Sequence, residues 1–153
     1  MSLAIEVQSV DLRFVGFDGH TTEGSLFLHL AGERSARPQT ALDRLNDPAV
    51  RFVPVRVDEH VELVNLAWLA FVSRPGRAPE VAAQEEIGAL HASVALDLAG
   101  GMTVEGDLHY LLPSGHSRVS DLLNSADERF LLVTTADETL YVHRAAVVRA
   151  RTS

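Results

Sequence analysis

The chain has 153 residues and no cysteine, and its 13 Lys and Arg against 21 Asp and Glu give a formal net charge of −8. Apolar residues make up 46% and charged residues 22%, a balance typical of a folded globular protein rather than of a disordered chain. The lack of cysteine excludes disulfide scaffolds, thiol nucleophiles and thiolate metal sites. The acidic balance disfavours a large nucleic-acid or anionic-membrane surface, because both depend on clustered Lys and Arg.

The beginning of the sequence carries no targeting signal. Residues 1–7 contain neither a basic region nor a long apolar run, and no later segment approaches the roughly 18 apolar residues of a membrane helix. Together with the absence of cysteine, these features lead us to expect a cytoplasmic protein without a membrane contact.

Two stretches of the sequence resemble each other in three blocks that occur in the same order. The matching blocks are 19–26 with 101–108, 43–46 with 121–124, and 51–55 with 129–133. The first stretch carries a short insertion at 32–38. The pattern predicts an internal duplication, whereas two generic β-segments that share turn residues are the alternative.

The duplication predicts two repeats and a linker. Two prolines and a glycine between 73 and 79 indicate a linker, so we assign residues 1–72 to the first repeat, 73–80 to the linker and 81–153 to the second repeat. A core of about 70 residues is marginally stable by itself. We therefore expect the two repeats to pack together through their apolar faces with pseudo-twofold symmetry.

The predicted elements follow the same plan in both repeats. In the first they are strands 12–15 and 21–30, a turn at 42–46, and strands 52–57, 61–64 and 69–72. In the second they are strands 94–98 and 103–112, one helical turn at 117–124, strands 129–135 and 139–143, a break at 144–146 and a strand at 147–150. Gly24 and Gly106 lie inside the long strands and predict a bulge or a sharp bend.

The segment between the repeats is ambiguous. Residues 80–86 have helical propensity, but residues 87–91 align with residues 5–9, which predicts a strand. Both interpretations stay open at this point.

This order of elements resembles the small SH3-like barrels, and among them the Sm-like fold. The resemblance rests on Val94, Leu96, Gly101, Gly106 and Leu108, and on the segment 141–147. It implies an all-β fold of two tandem, strongly bent five-stranded barrels or half-barrels, each with a one-turn helix. The segment 120–124 followed by 130–133 also resembles an uncharacterised bacterial family, which implies no function.

The RNA-contacting motifs of Sm proteins are not reproduced. Asp121 and Asn124 are three positions apart with two leucines between them, and Arg144 is followed by Ala145 instead of glycine. We therefore expect the fold to carry over and RNA binding not to.

No catalytic or metal-binding pattern is present in the sequence. The seven histidines form no His-x-x-x-His pair, and neither a Gly-x-Ser-x-Gly elbow nor a glycine-rich phosphate loop occurs. We predict a protein that is not an enzyme, with no catalytic residue, no metal ligand and no cofactor.

Four arginines form the only basic clusters. They are Arg34 and Arg37 in the insertion and Arg74 and Arg77 in the linker, and they could contact a phosphate or an acidic partner or simply solubilise their loops. A nucleotide or small-ligand sensor is the function that such a contact would support.

The last predicted strand of the first repeat is apolar on both faces. Alternation places Leu69 and Phe71 on one face and Ala70 and Val72 on the other. With Trp68, this segment is the predicted interface, covered by the second repeat or by another subunit. The protein is thus either a pseudo-symmetric monomer or a homo-oligomer.

These expectations favour a non-catalytic binding or assembly module with an unidentified protein partner. An RNA-binding Sm-like protein and a nucleotide or small-ligand sensor are the alternatives.

Overall fold

The computed structural model describes residues 7–29, 38–112, 118–125 and 128–152, and the strands of this part of the chain form one antiparallel sheet of ten. The strands are β1 (Val7–Gly16), β2 (Thr21–His29), β3 (Phe52–Val57), β4 (His60–Asn65), β5 (Leu69–Pro75), β6 (Leu90–Leu98), β7 (Thr103–Tyr110), β8 (Phe130–Thr134), β9 (Glu138–His143) and β10 (Val147–Thr152). The helices are α1 (Ala41–Asn46), α2 (Pro79–Glu86) and α3 (Val119–Asn124), and 3₁₀ turns occupy Leu66–Trp68 and Arg144–Ala146. The predicted all-β class is confirmed.

The order of strands across the sheet is β10-β6-β7-β8-β9-β5-β1-β2-β3-β4. Each half of the chain therefore uses the same relative order, with its fifth strand beside its first. The halves meet where β9 pairs antiparallel with β5, placing Phe71 opposite Val142 and Arg74 opposite Thr139. Internal duplication stays a prediction, but the recurrence of strand order is the arrangement it requires.

The predicted pseudo-twofold symmetry is wrong. A twofold axis that pairs β9 with β5 would also pair β4 with β10, whereas these two strands are the opposite outermost strands of the described sheet. Main-chain pairing also joins the halves, in addition to the apolar packing that the sequence predicts.

The predicted linker region is largely ordered into regular elements. β5 continues to Pro75, and α2 begins at Pro79, whose missing N–H costs nothing at a helix start. Gly88, with a φ of 82°, follows the helix, and β6 then begins at Leu90. The ambiguous segment is thus a helix followed by a strand.

Gly24 and Gly106 permit a close approach between neighbouring strands. A Cβ added at Gly24 would lie 2.6 Å from the carbonyl oxygen of Arg56 on β3. The equivalent contact brings the carbonyl of Thr134, on β8, against Gly106 on β7. Only glycine leaves room for the adjacent backbone at these two points.

The two apolar cores are interlocked across the halves. The first core contains residues of β1, β2, β3 and β5 and of all the helices before β6, together with Phe130, Leu132 and Tyr141 of the second half. The second core contains residues of β6 to β9 together with Ala70 of the first half. Neither core is complete within its own half.

A β-bulge changes the predicted faces of β5. Val15 lies opposite Phe71 and Gly16 opposite Leu69, which leaves Ala70 without a partner on β1. As a result Leu69 and Val72 belong to the first core, whereas Ala70 and Phe71 contact the second. The expectation that Leu69 and Phe71 share a face is therefore wrong.

Candidate functional site

The contact between the β8–β9 hairpin and the first half, here called the junction, is the most extensively built site in the described part of the chain. Leu132 lies opposite Tyr141 in the hairpin register, so both side chains point to the same side of the sheet. They are fully buried with Phe130 in the first core, where they pack with residues of α1, β5 and α2. The hairpin thereby completes the core of the other half.

Hydrogen bonds connect one end of the junction to the C-terminal end of α1. The backbone N–H of Phe130 donates to Asn46 Oδ1 at 2.8 Å, and Asn46 Nδ2 donates to the Phe130 carbonyl at 3.2 Å. The Arg129 guanidinium donates to the carbonyl oxygens of Leu45 at 3.1 Å and Asp47 at 2.6 Å. The carbonyls at a helix end have no partner within the helix, and here a side chain of the other half supplies one.

A buried carboxylate fastens the other end. Glu80 of α2 accepts hydrogen bonds from the Tyr141 hydroxyl at 2.7 Å and from the backbone N–H of Leu42 at 3.2 Å. Burial, reinforced by Glu80, raises the pKa of Tyr141 well above its usual range. The Thr139 hydroxyl donates to the Gly76 carbonyl at 2.8 Å and accepts from the backbone N–H of Ala78 at 2.9 Å. The polar groups of the hairpin are thus satisfied by the segment that joins the halves.

His143 lies in the middle of the junction. Its Nδ1 is 2.8 Å from the Leu69 carbonyl, so this nitrogen carries the proton and donates it. Its ring stacks on Phe130 with the centroids 4.9 Å apart. Burial lowers the pKa of His143, and the positive charges of Arg129 and Arg144 act in the same direction against the Leu69 hydrogen bond.

The β3–β4 hairpin, at one end of the sheet, carries an exposed apolar surface that we call the hairpin face. It consists of Phe52, Val61 and Leu63, whose exposed fractions are 54%, 56% and 68%. In the aligned blocks these positions correspond to Phe130, Thr139 and Tyr141, which are fully buried in the junction. The first half therefore presents the surface that the second half buries.

The other end of the sheet presents the counterpart, which we call the receiving face. It consists of Val119 and Leu123 of α3 and Ala150 of β10, beside a cavity of about 470 Å³, and of Val148, which a register shift in β10 turns to the other side of this outermost strand. The residue equivalent to Val148 is Ala70, which packs in the core of the other half. The positions equivalent to Val119, Leu123 and Ala150 are Ala41, Leu45 and Val72, which are buried in the junction. In the second half these three side chains are only partly buried, and Val148 is 69% exposed.

Two grooves lie over the recurring glycines. The groove over Gly24 has a volume of about 590 Å³, and the groove over Gly106 has about 310 Å³. The charged residues of the larger groove are Asp11, Arg13, Glu23, Arg56, Asp58 and Glu138. Four carboxylates against two guanidinium groups suit a small polar or zwitterionic ligand better than a phosphate.

The four predicted arginine contacts do not come together. Arg34 and Arg37 lie outside the described residues. Arg74 is half-buried on β5, near enough to the Tyr141 hydroxyl to act against the rise of its pKa. Arg77 forms an ion pair with Glu85 of α2. The two described arginines thus contact groups of their own chain.

The three predicted interface residues have different surroundings. Leu69 is buried in the first core, and its carbonyl binds His143. Phe71 is half-buried between β1 and β9. Trp68 is 37% exposed, and its ring covers Gly16, where no larger residue would fit.

Sequence reasoning singled out none of the polar residues of the junction. A signal was nevertheless present, because Asn46 with Asn124 and Arg51-Phe52 with Arg129-Phe130 are among the matched positions of the two stretches. In the structure, Asn46 and Arg129 are the members of these matched pairs that form hydrogen bonds across the junction.

No protein family, curated protein or solved structure matches this chain. Within the described ranges, no three His, Asp or Glu side chains are grouped as a metal site requires. No helix of the described part is long and apolar enough to cross a bilayer.

Proposed function

We propose that this protein is a non-catalytic assembly module of the cytoplasm and that it binds its protein partner through the hairpin face. The observation that carries the proposal is the contrast in burial: Phe52 and Leu63 are 54% and 68% exposed, whereas their counterparts Phe130 and Tyr141 are fully buried in a built contact. Because Phe130 and Tyr141 form a buried contact within the chain, the equivalent side chains Phe52 and Leu63 are suited to form a buried contact with a partner.

The energetics favour this surface. Covering an exposed Phe, Leu or Val side chain contributes about 1.5–3 kcal/mol each. β4 is also the outermost strand at its end of the sheet, and an outermost strand offers backbone groups to an added strand. The hairpin face thus combines apolar side chains with main-chain donors and acceptors.

We also infer that each half is a small SH3-like or Sm-like barrel repeat. The support is the recurring strand order, the short helix before the third strand of each half, and the 3₁₀ turn before each fifth strand. The departures at Asn124 and Arg144 from the RNA-contacting motifs, together with the net charge of −8, favour protein assembly over RNA binding.

Site-specific photocrosslinking in the cell tests the proposed function. A photoreactive amino acid in place of Leu63 should give a discrete protein adduct. The same replacement at Ile87, an equally exposed apolar residue outside the hairpin, should give none. Failure of the Leu63 position to form a protein adduct would contradict the proposal.

The groove over Gly24 supports a second candidate, a small-ligand sensor. Its mixed charges could hold a small zwitterion. A ligand that binds only the folded state raises the melting temperature, so a thermal-shift screen with nucleotides and amino acids tests this function. A shift that disappears in Arg13→Ala would favour the sensor, and salt-resistant RNA binding in an electrophoretic shift assay would favour the RNA-binding alternative.

A further inference from the structure

The two ends of the sheet are related to each other in the same way as the two sides of the junction. The junction joins β9, the fourth strand of its half, to β5, the fifth strand of its half. The outermost strands of the described sheet are β4 and β10, which are again a fourth and a fifth strand. One chain therefore carries the two kinds of strand edge that a second junction of the same type would join.

We propose that the hairpin face of one chain docks on the receiving face of a second copy of the same chain, with β4 of the first pairing antiparallel with β10 of the second. The inference rests on the proposed function and names its partner. The contacts of the internal junction predict those of the new one, position by position.

The apolar contacts match. In the junction, Phe130 and Tyr141 pack in a core with Leu45 and Val72. The equivalent contact would place Phe52 and Leu63 of one chain against Leu123 and Ala150 of the other. All four of these side chains are at least partly exposed in the single chain. Docking covers both surfaces and leaves neither without a partner.

The polar contacts match as well. Arg129 and Asn46 fasten the junction, and their counterparts Arg51 and Asn124 are both exposed. In the docked pair, Asn124 accepts from the backbone N–H of Phe52, and Arg51 donates to the Leu123 and Ser125 carbonyls. In the single chain Arg144 donates to the Ser125 carbonyl, and a carbonyl oxygen can accept two hydrogen bonds.

The two halves differ at two hairpin positions, and both differences suit a contact in which no segment equivalent to α2 takes part. Tyr141 and Thr139 need Glu80, Gly76 and Ala78 to satisfy their hydroxyl groups. Their counterparts on the hairpin face are Leu63 and Val61, which have no hydroxyl to satisfy. The hairpin face can therefore be buried at β10 without the polar groups of the connecting segment.

The strand register is also complementary in charge. In the junction, Ser73 lies opposite Leu140. The same register would place Arg151 of β10, whose guanidinium also binds the Asp97 carboxylate of its own chain, opposite Glu62 of β4 in the second copy. Oppositely charged residues directly across a strand pair stabilise it, whereas the equivalent pair in the junction is neutral.

Such a contact is heterologous, because it joins two different surfaces. A docked pair keeps one hairpin face and one receiving face available, so association continues until a ring closes or a filament grows. The smallest closed ring has two chains, each docking its hairpin face on the receiving face of the other.

Light scattering after size-exclusion chromatography tests the inference on the full chain. The wild type should have a mass of at least two chains of 16.6 kDa. Leu63→Asp and Val148→Asp should each reduce it to one chain. An equimolar mixture of the two variants should give two chains, because each keeps the surface that the other has lost. The matched control Ile87→Asp should keep the wild-type mass, and circular dichroism should show that all variants stay folded.

Several outcomes would overturn the inference. A wild-type mass of one chain contradicts it, and so does a wild-type mass in both variants. A Val148→Asp variant that stays dimeric and does not bind Leu63→Asp would show that two hairpin faces bind each other. If the wild type is a single chain while the Leu63 photocrosslink captures a different protein, the self-assembly fails and the proposed function stands.

Charge exchange tests the register separately. Glu62→Arg should weaken the association about fivefold, since it opposes Arg151 of the second copy with a like charge. Adding Arg151→Glu together with Asp97→Arg, which keeps an ion pair between these two positions of the same chain, should restore the association. Equal association in the single and the triple variant would contradict this register.

Discussion

At the scale of the residue, Glu80 is the only carboxylate that is buried in the described part of the chain. It accepts from the Tyr141 hydroxyl and from the Leu42 N–H. We expect Glu80→Ala to lower the free energy of unfolding by about 1–3 kcal/mol, because two buried donors lose their acceptor. Urea denaturation measures the loss. Exposed Glu86→Ala is the control, and an equal effect of the two variants would contradict the role of Glu80.

Gly106 provides a second test at this scale. A Cβ at this position would overlap the carbonyl of Thr134, and the backbone of β8 cannot rotate away as a side chain can. We expect Gly106→Ala to destabilise the protein by about 1–3 kcal/mol, measured by urea denaturation. Exposed Glu105→Ala should change the stability little. A neutral effect of Gly106→Ala would show that the strands separate at no cost.

His143 makes the stability depend on pH. Burial lowers its pKa below the usual value of 6.5, so the unfolded chain binds more protons than the folded chain in this range. Burial of neutral His143 therefore costs no stability above pH 6.5, and the free energy of unfolding falls as the pH drops from 6.5 towards the folded pKa. We expect the difference in melting temperature between pH 7.5 and pH 5.5 to shrink in His143→Asn, the residue type found at the equivalent Asn65. An unchanged difference in His143→Asn would contradict this role of His143.

At the scale of the element, β5 and β10 are equivalent strands in different surroundings. β5 lies between β1 and β9, whereas β10 pairs only with β6 in the described sheet. We expect Phe71→Glu to cost more than about 2 kcal/mol, because it places a charge against the second core, where the Phe71 ring packs. Arg149→Glu, at the equivalent exposed position, should cost less than about 0.5 kcal/mol. Melting temperatures of both variants decide the matter, and equal effects would contradict the placement of Phe71.

The strands themselves were predictable from the sequence. Phe52–Val57 is a strand as predicted, since its alternating pattern and flanking turn residues are local signals. The break at Arg144–Ala146 is a 3₁₀ turn. The exception is β5, where the bulge at Ala70 places Leu69 and Phe71 on opposite faces of the sheet. A bulge depends on the strand opposite, and single-strand alternation carries no information about that strand.

At the scale of the whole molecule, the interlocked cores predict that the halves depend on each other. Residues 1–76 expressed alone would lack Val81, Phe130, Leu132 and Tyr141 of the first core. We expect this fragment to show no cooperative thermal transition by circular dichroism and to regain one when it is mixed with residues 77–153. A fragment that melts cooperatively by itself would show that the first core is sufficient without the hairpin of the second half.

The sequence by itself determined the all-β class, the position of most strands and the recurrence of three blocks. Alternation, turn residues and repetition are patterns of neighbouring residues, so they can be recognised without the tertiary structure. Only the tertiary structure decided how the halves meet. The contact of Asn46 with Phe130, the burial of Tyr141 against Glu80 and the pairing of β9 with β5 all join residues distant in the sequence. The predicted pseudo-twofold axis failed for the same reason. Matching blocks establish which positions are equivalent, but equivalent positions can meet edge to like edge or edge to unlike edge. The register of backbone hydrogen bonds between β5 and β9 makes that choice, and no local pattern encodes it.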